Sequence, residues 1–574
     1  MYDDTRQQYP FLNRIYKILL VLTDRISVLG RKTEEIQGKK PEIAVMLVYI
    51  AAHLGMAIVH EPFFDEAEAW QIAKCVSLKT LLLETTHYEG HPPLWHLILM
   101  PLAKAGAPYE LSLTLVSLVF AGGAVFLILR YAPFPRIVRL LLPFTYFYFY
   151  QYGVISRVYC VMVLEFVLLS IFYKDRNEKP GRYVSVLMLL CITSAYGIVI
   201  AGGLALVWLW EMWDRKGVRG LIGRYIRERR LWWLGALFIV AVCVILQIMP
   251  RKETYATALT EFEEIKNPFL VRFYYMLLVL PADVTITDLY CDYTYLYKAL
   301  LPVSTLVSGG MIGILIWFLL LYYGRKKGTI LLCILPYTLF AVFGAAVYVY
   351  IHHIGIGLIY LCFWAWASME KEEDAVCRER GVALPIRCVS ILLGTLAMGI
   401  SLFWSVASCT LDIGKTYAAG RNEARFIKEH HLERYRIMAG WMVIRDEAGN
   451  IVDVDINSCD QAVNAAPYFE HNLFFNFNEG KDERNYVTHM RLTQEQTQTL
   501  YDVWRKEELP QVLWMHPNLE MVYGDILAGQ NYVPVYREPI ERIWKAGTDY
   551  STCDIYVSRE LLEETGLSMI RVGE

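Results

Sequence analysis

The chain is 574 residues long, 55% of them hydrophobic, with a formal net charge of −3 and a mean hydropathy of +0.32. Apolar runs recur through the first 410 residues, which excludes a string of soluble domains and indicates a polytopic membrane protein. So small a net charge gives no electrostatic case for nucleic-acid binding.

Residues 1–42 read as a cytoplasmic amphipathic segment on the membrane surface. YPFLNRIYKILLVL interrupts its apolar side chains with Arg14 and Lys17, and it has no small-residue cleavage site. Eleven candidate spans follow, at about 43–60, 109–130, 137–152, 158–173, 183–197, 199–213, 231–249, 299–323, 328–351, 354–369 and 386–408. The basic connections RYAPFPRIVR, KDRNEKPGR, DRKGVRGLIGRYIRERR and GRKKG all face the cytoplasm under this arrangement. The same rule makes 92–105 a juxtamembrane helix. It also makes 183–213 a hairpin, turning near Gly202 and Gly203 or slightly earlier, at Gly197.

The fold class is therefore an α-helical polytopic membrane protein with a C-terminal soluble α/β domain. Residues 43–409 form the transmembrane domain, with extracytoplasmic loops at 61–108 and 250–298. The second loop contains FLVRFYYMLLVLP, too short to cross and suited to lying on or dipping into the membrane. Residues 410–574 form an extracytoplasmic domain in which EARFIKEHH reads as helix and YRIMAGWMVI and QVLWMH as strands. The twelve cysteines show no CxxC pair. An extracytoplasmic tail would allow Cys459 and Cys553 to pair.

Polar residues gather where spans give out. Asp65 and Glu66, in HEPFFDEAEAWQIAK, follow the first span. Such carboxylates either take a proton from an attacking hydroxyl or cap the helix they begin. His87, Glu89, His91 and His96 have poor spacing for a metal and, with Pro92 and Pro93, read as loop-shaping residues. Arg157 lies between two spans, where its planar fork either clamps a phosphate or snorkels to lipid headgroups. His352 and His353 end a span, as ligands for phosphate or sugar or as a helix end at the aromatic belt. Asp283, Asp288 and Asp292 read as a solvated loop, and PFTYFYFYQY as interfacial packing.

Three of these motifs in order carry a resemblance: D-E-A (Asp65, Glu66, Ala67), H-P-P-L (His91 to Leu94) and S-R-x-Y (Ser156, Arg157, Tyr159). With His353-x-Gly355 before an aromatic-rich span, the chain resembles the GT-C integral-membrane glycosyltransferases. Within these it is most similar to the protein-mannosyltransferase and aminoarabinose-transferase-like branch, the glycosyltransferase family 39-like proteins. The similarity covers about residues 40–410, and AAGRNEARFIKEHHL resembles the post-membrane helix of such proteins. His352 departs by standing where bacterial members often carry Arg, and Gln151 by standing where some carry an acid. TSAYG also lacks a His common in relatives.

The resemblance implies transfer of a sugar from a polyprenyl-phosphate donor to a lipid, glycan or protein acceptor at the extracytoplasmic face. Asp65 would then be the catalytic carboxylate with Glu66 supporting it. His91, Arg157, Tyr159, His352 and His353 would bind substrate. No cofactor is implied, and a metal requirement stays open. The rival reading is a transporter or flippase of lipid-linked sugars, a class marked by mid-membrane polar residues and broken helices in symmetric halves.

Overall fold

The apolar runs fold into helices that carry their hydrocarbon on the outside and their hydroxyl-bearing rings within. Ile58, Val119, Phe238 and Met311 are exposed, while Tyr146, Tyr150, Tyr152, Tyr159, Tyr196 and Tyr337 are almost wholly buried. This inverted pattern suits lipid, where backbone and side-chain polar groups must be satisfied inside the protein. The computed structural model describes residues 10–213, 229–250, 267–288, 296, 300–371, 382–439, 442–445, 451–455, 460–477, 480–482, 510–515 and 532–570. Asp292 and Cys459 lie outside these residues.

Among the described residues, seven helices are long and apolar enough to cross a membrane. They are Lys40–Val59, Tyr109–Tyr131, Ala195–Met212, Arg230–Ile248, Val303–Lys327, Ile351–Glu370 and Leu384–Gly414. Shorter apolar helices occupy Leu94–Lys104, Tyr159–Tyr173, Pro180–Thr193 and Ile330–Ala346. The protein is a helical membrane protein with a small C-terminal sheet. Residues Pro10–Glu35 form a helix that packs against the last long helix and against Arg136–Leu141. Arg136 ties that junction together, reaching Glu42 at 2.7 Å and the Gly38 carbonyl at 2.5 Å.

Several predicted boundaries move, each for a local reason. The span predicted at 137–152 is not one regular helix. It is a short helix (Arg136–Leu141), a 3-10 turn around Pro143 (Leu142–Phe144) and a π-helix (Phe147–Val154). The 183–213 segment does break, but at Ser194, whose backbone is extended and whose hydroxyl accepts from Tyr196 N–H. Gly197 and Gly203 serve close packing instead: a Cβ on Gly197 would lie 2.0 Å from the Leu190 carbonyl oxygen, and one on Gly203 2.7 Å from Pro336 Cα. The last long helix runs to Gly414, so the C-terminal domain begins beyond 410.

FLVRFYYMLLVLP dips between helices. It forms Phe269–Tyr274, the π-helical Tyr275–Val279 and Leu280–Asp283. Trp317 Nε1 donates to the Leu277 carbonyl at 2.6 Å. Gly313 permits the contact, since a Cβ there would lie 1.6 Å from the Leu278 oxygen. Asp283 is not in a solvated loop: it is fully buried, and Asp288 faces Lys545 at 3.5 Å.

The C-terminal domain opens with the helix Gly420–Glu429 and builds a four-stranded sheet. Its strands are β1 (Ile437–Ala439), β4 (Val512–Met515), β6 (Gly547–Val557) and β5 (Val533–Trp544), in that spatial order. Between β1 and β4 in sequence, β2 (Met442–Arg445) and β3 (Ile451–Asp455) pair separately. The β1–β4 pair is parallel and the others in the larger sheet are antiparallel. Cys553 is buried in β6, and its pairing with Cys459 falls outside the described residues.

The domain rests on the loop that follows the first long helix. Arg421 Nε meets Glu110 at 2.8 Å, its backbone N–H donates to Glu61 at 2.5 Å, and Tyr468 donates to Glu110. Burial pushes the Glu61 carboxyl up to about 8 even though Arg421 favours its charge. Loop 61–108 and the C-terminal domain therefore share one end of the bundle.

Candidate functional site

The helix Phe64–Cys75 starts five residues after the first long helix ends at Val59. Phe63 is extended, with φ −90° and ψ 171°, and its N–H donates to Glu66 Oε2 at 2.9 Å. Glu66 is thus the capping carboxylate, three residues into the turn. Its other oxygen accepts from Ser156 N–H at 2.6 Å, and His60 Nε2 lies 3.5 Å away. Glu66 is almost fully buried. It binds backbone on two segments.

Its neighbour Asp65 faces the other way and pairs with Arg157 Nη1 at 2.9 Å. The two contacts run side by side: Glu66 holds Ser156 while Asp65 meets Arg157. The Asp65 side chain keeps 29% of its exposure and that of Arg157 14%, so a substrate can reach this pair but not Glu66. Arg157 also lies over the Tyr159 ring at 5.1 Å. Burial works against the guanidinium charge, but Asp65 together with Tyr159, Tyr348 and Glu66 outweighs it and raises the Arg157 pKa above its ordinary value.

Two further segments close on the pair. Gly90, left-handed at φ +62°, ends a short helix and delivers His91 ahead of Pro92 and Pro93. The His91 ring lies 6.5 Å from that of His353. Burial, helped by Arg157, pushes the His91 pKa down to about 4, so the imidazole is neutral at pH 7. His352 and His353 sit in a 3-10 turn, Ile351–His353, and each ring is 5.9 Å from Tyr159. His353 Nδ1 accepts from Tyr350 N–H at 2.8 Å, which places the proton on Nε2. That Nε2 is buried with no partner among the described residues.

The structure thus brings together Asp65, His91, Arg157, Tyr159, His352 and His353, from four segments distant in sequence. It separates others. His87 Nδ1 bonds the Met249 carbonyl at 2.8 Å, and His96 is buried on the helix Leu94–Lys104. Among the described residues no three His, Cys, Asp or Glu side chains are grouped to hold a metal. Tyr196, in the TSAYG segment, places its hydroxyl 3.2 Å from His353 Nδ1. Gln151 accepts from Tyr146 at 2.9 Å.

Sequence reasoning passed over a second polar layer behind the first. His60 Nδ1 lies 2.8 Å from Asp412 Oδ2, to which Tyr150 also donates at 3.0 Å. Asp412 is an acid near the end of an otherwise apolar helix, a pattern that by itself signals a held charge. Glu165, midway along the apolar helix Tyr159–Tyr173, is also buried, accepting from Thr193 at 2.6 Å beside the Ser194 break. Comparison of the chain with protein-family models, curated proteins and solved structures finds no match.

Proposed function

We propose that the chain is a GT-C-type glycosyltransferase, moving a sugar from a polyprenyl-phosphate-linked donor to a lipid, glycan or protein acceptor at the extracytoplasmic face. It crosses the membrane eleven times, with the N-terminus in the cytoplasm and the C-terminal domain outside. The observation that carries this reading is the convergence of a reachable carboxylate, a guanidinium and three imidazoles at one end of the bundle.

In this reading Asp65 takes the proton of the acceptor hydroxyl, whose oxygen bonds to the anomeric carbon. The bond from that carbon to the phosphate oxygen breaks, and its electron pair leaves with the phosphate. Arg157 presents a fork of donors, of which one nitrogen lies at Asp65, and the Nε2–H of His353 adds another. Both favour the charge that grows on the leaving phosphate. Glu66 fixes the register of Asp65 against Arg157.

One observation favours the rival flippase reading: the buried Glu165 beside the helix break at Ser194. Purified full-length protein in liposomes, supplied with polyprenyl-phosphate sugars and candidate acceptors, separates the two. Formation of a new glycosidic bond supports a transferase, whereas donor crossing the bilayer unchanged would point to a flippase. Cysteines placed in 61–108 and 420–574 should label only from outside, and cytoplasmic labelling would overturn the orientation.

A further inference from the structure

The tip of the β5–β6 hairpin enters the membrane domain. Lys545 adopts a left-handed backbone, φ +51°, which turns the chain between Trp544 and Gly547. Its Nζ is fully buried and lies 2.9 Å from Asp283 Oδ1, 2.7 Å from the Asp283 carbonyl and 3.0 Å from the Thr287 carbonyl. Asp283 is held in turn by Tyr275, whose hydroxyl donates at 2.6 Å. The ammonium also sits 4.5 Å above the Trp404 ring, and Ser408 donates to the Lys545 carbonyl. Trp404 lies ten residues before the end of its helix at Gly414, about 15 Å at 1.5 Å per residue. A cation so fully sealed from water needs all of these partners.

The same hairpin touches both walls of the candidate site. On one side Arg542 lies over the Phe63 ring at 4.7 Å, at the start of the helix bearing Asp65. On the other, Trp544 packs edge-on to Phe147, at 6.3 Å. Phe147 abuts Gly355, where a Cβ would come within 2.2 Å of its ring, and packs against Tyr152 at 5.7 Å. Tyr152 donates to the His352 carbonyl at 2.7 Å.

We infer that Lys545 is a positioning residue: its ion pair latches the C-terminal domain onto segment 267–288 and, through Trp544 and Phe147, sets the His352–His353 turn. The consequence for turnover rests on the glycosyltransferase reading, while the mechanical coupling does not. The C-terminal domain is then a working part of the site.

The test is hydrogen exchange on the full chain in nanodiscs, comparing wild type with Lys545→Met and with the gentler Asp288→Asn. Lys545→Met should speed amide exchange in both 282–287 and 350–355 by roughly tenfold or more, with β4 and β6 still protected. Asp288→Asn should do the same to a smaller degree and report on the latch if Lys545→Met fails to fold. Adding Asp283→Asn to Lys545→Met should recover much of the protection, because no unpaired buried charge remains. In a transfer assay, kcat should fall with little change in donor KM. Exchange that rises only in 282–287, or in neither segment, would overturn the coupling even if wild-type transfer were established. A wild type without transfer would leave the exchange result standing.

Discussion

Two ion pairs at the same end of this protein have the same length and opposite surroundings. Asp65–Arg157 and Lys545–Asp283 each close at 2.9 Å, but the first keeps 29% and 14% side-chain exposure and the second none. Exposure therefore sorts them. A pair reachable from solvent can exchange its partner for a substrate group, whereas a sealed pair can only hold elements together. Coulomb attraction alone does not distinguish them, because burial raises the desolvation cost along with the attraction.

The contrast breaks most visibly at the sealed pair. Lys545→Met strands Asp283 as a buried charge and should cost about 3–5 kcal/mol, seen as loss of folded protein or a lower melting temperature in detergent. Arg157→Lys should leave stability nearly unchanged but lower transfer about 10²–10³-fold, since an ammonium cannot replace the planar fork. Should Arg157→Lys instead unfold the protein, the reachable pair would be structural after all.

A pH scan sharpens the contrast from a third place. Burial holds the Glu423 carboxyl well above the ordinary carboxylate value of 4.5 inside the C-terminal domain. The folded state keeps that proton at pH values where the unfolded chain has lost it. Stability should therefore decline as pH rises from about 4.5 towards the folded pKa. Glu423→Gln should flatten that decline and raise the melting temperature at pH 8. The smallest effect belongs to Tyr196→Phe, which removes hydroxyl contacts to the Tyr348 carbonyl and to His353. It should cost about 0.5–1.5 kcal/mol and slow transfer only a few-fold.

Hydropathy made the membrane helices legible, because a crossing must be apolar over its whole length. Loop charges then put Asp65, His91, Arg157 and His353 at one end, where the structure brings them together. What stayed hidden depends on distance along the chain. Lys545 and Asp283 are 262 residues apart, and His60 and Asp412 352, so no local pattern joins them. The hairpin turn misled for a different reason. Glycine reads as a breaker, yet Gly197 and Gly203 serve close contacts and an extended Ser194 makes the bend. Asp65 and Glu66 stayed alike as candidate caps, because which residue caps depends on where the first helical turn begins.

The most direct test of the account is transfer by purified Asp65→Asn in liposomes with polyprenyl-phosphate sugar, beside its melting temperature. The expected result is a folded protein whose transfer rate has fallen about 10²–10⁴-fold, the loss expected for a general base. Wild-type transfer rates from a folded Asp65→Asn protein would contradict it.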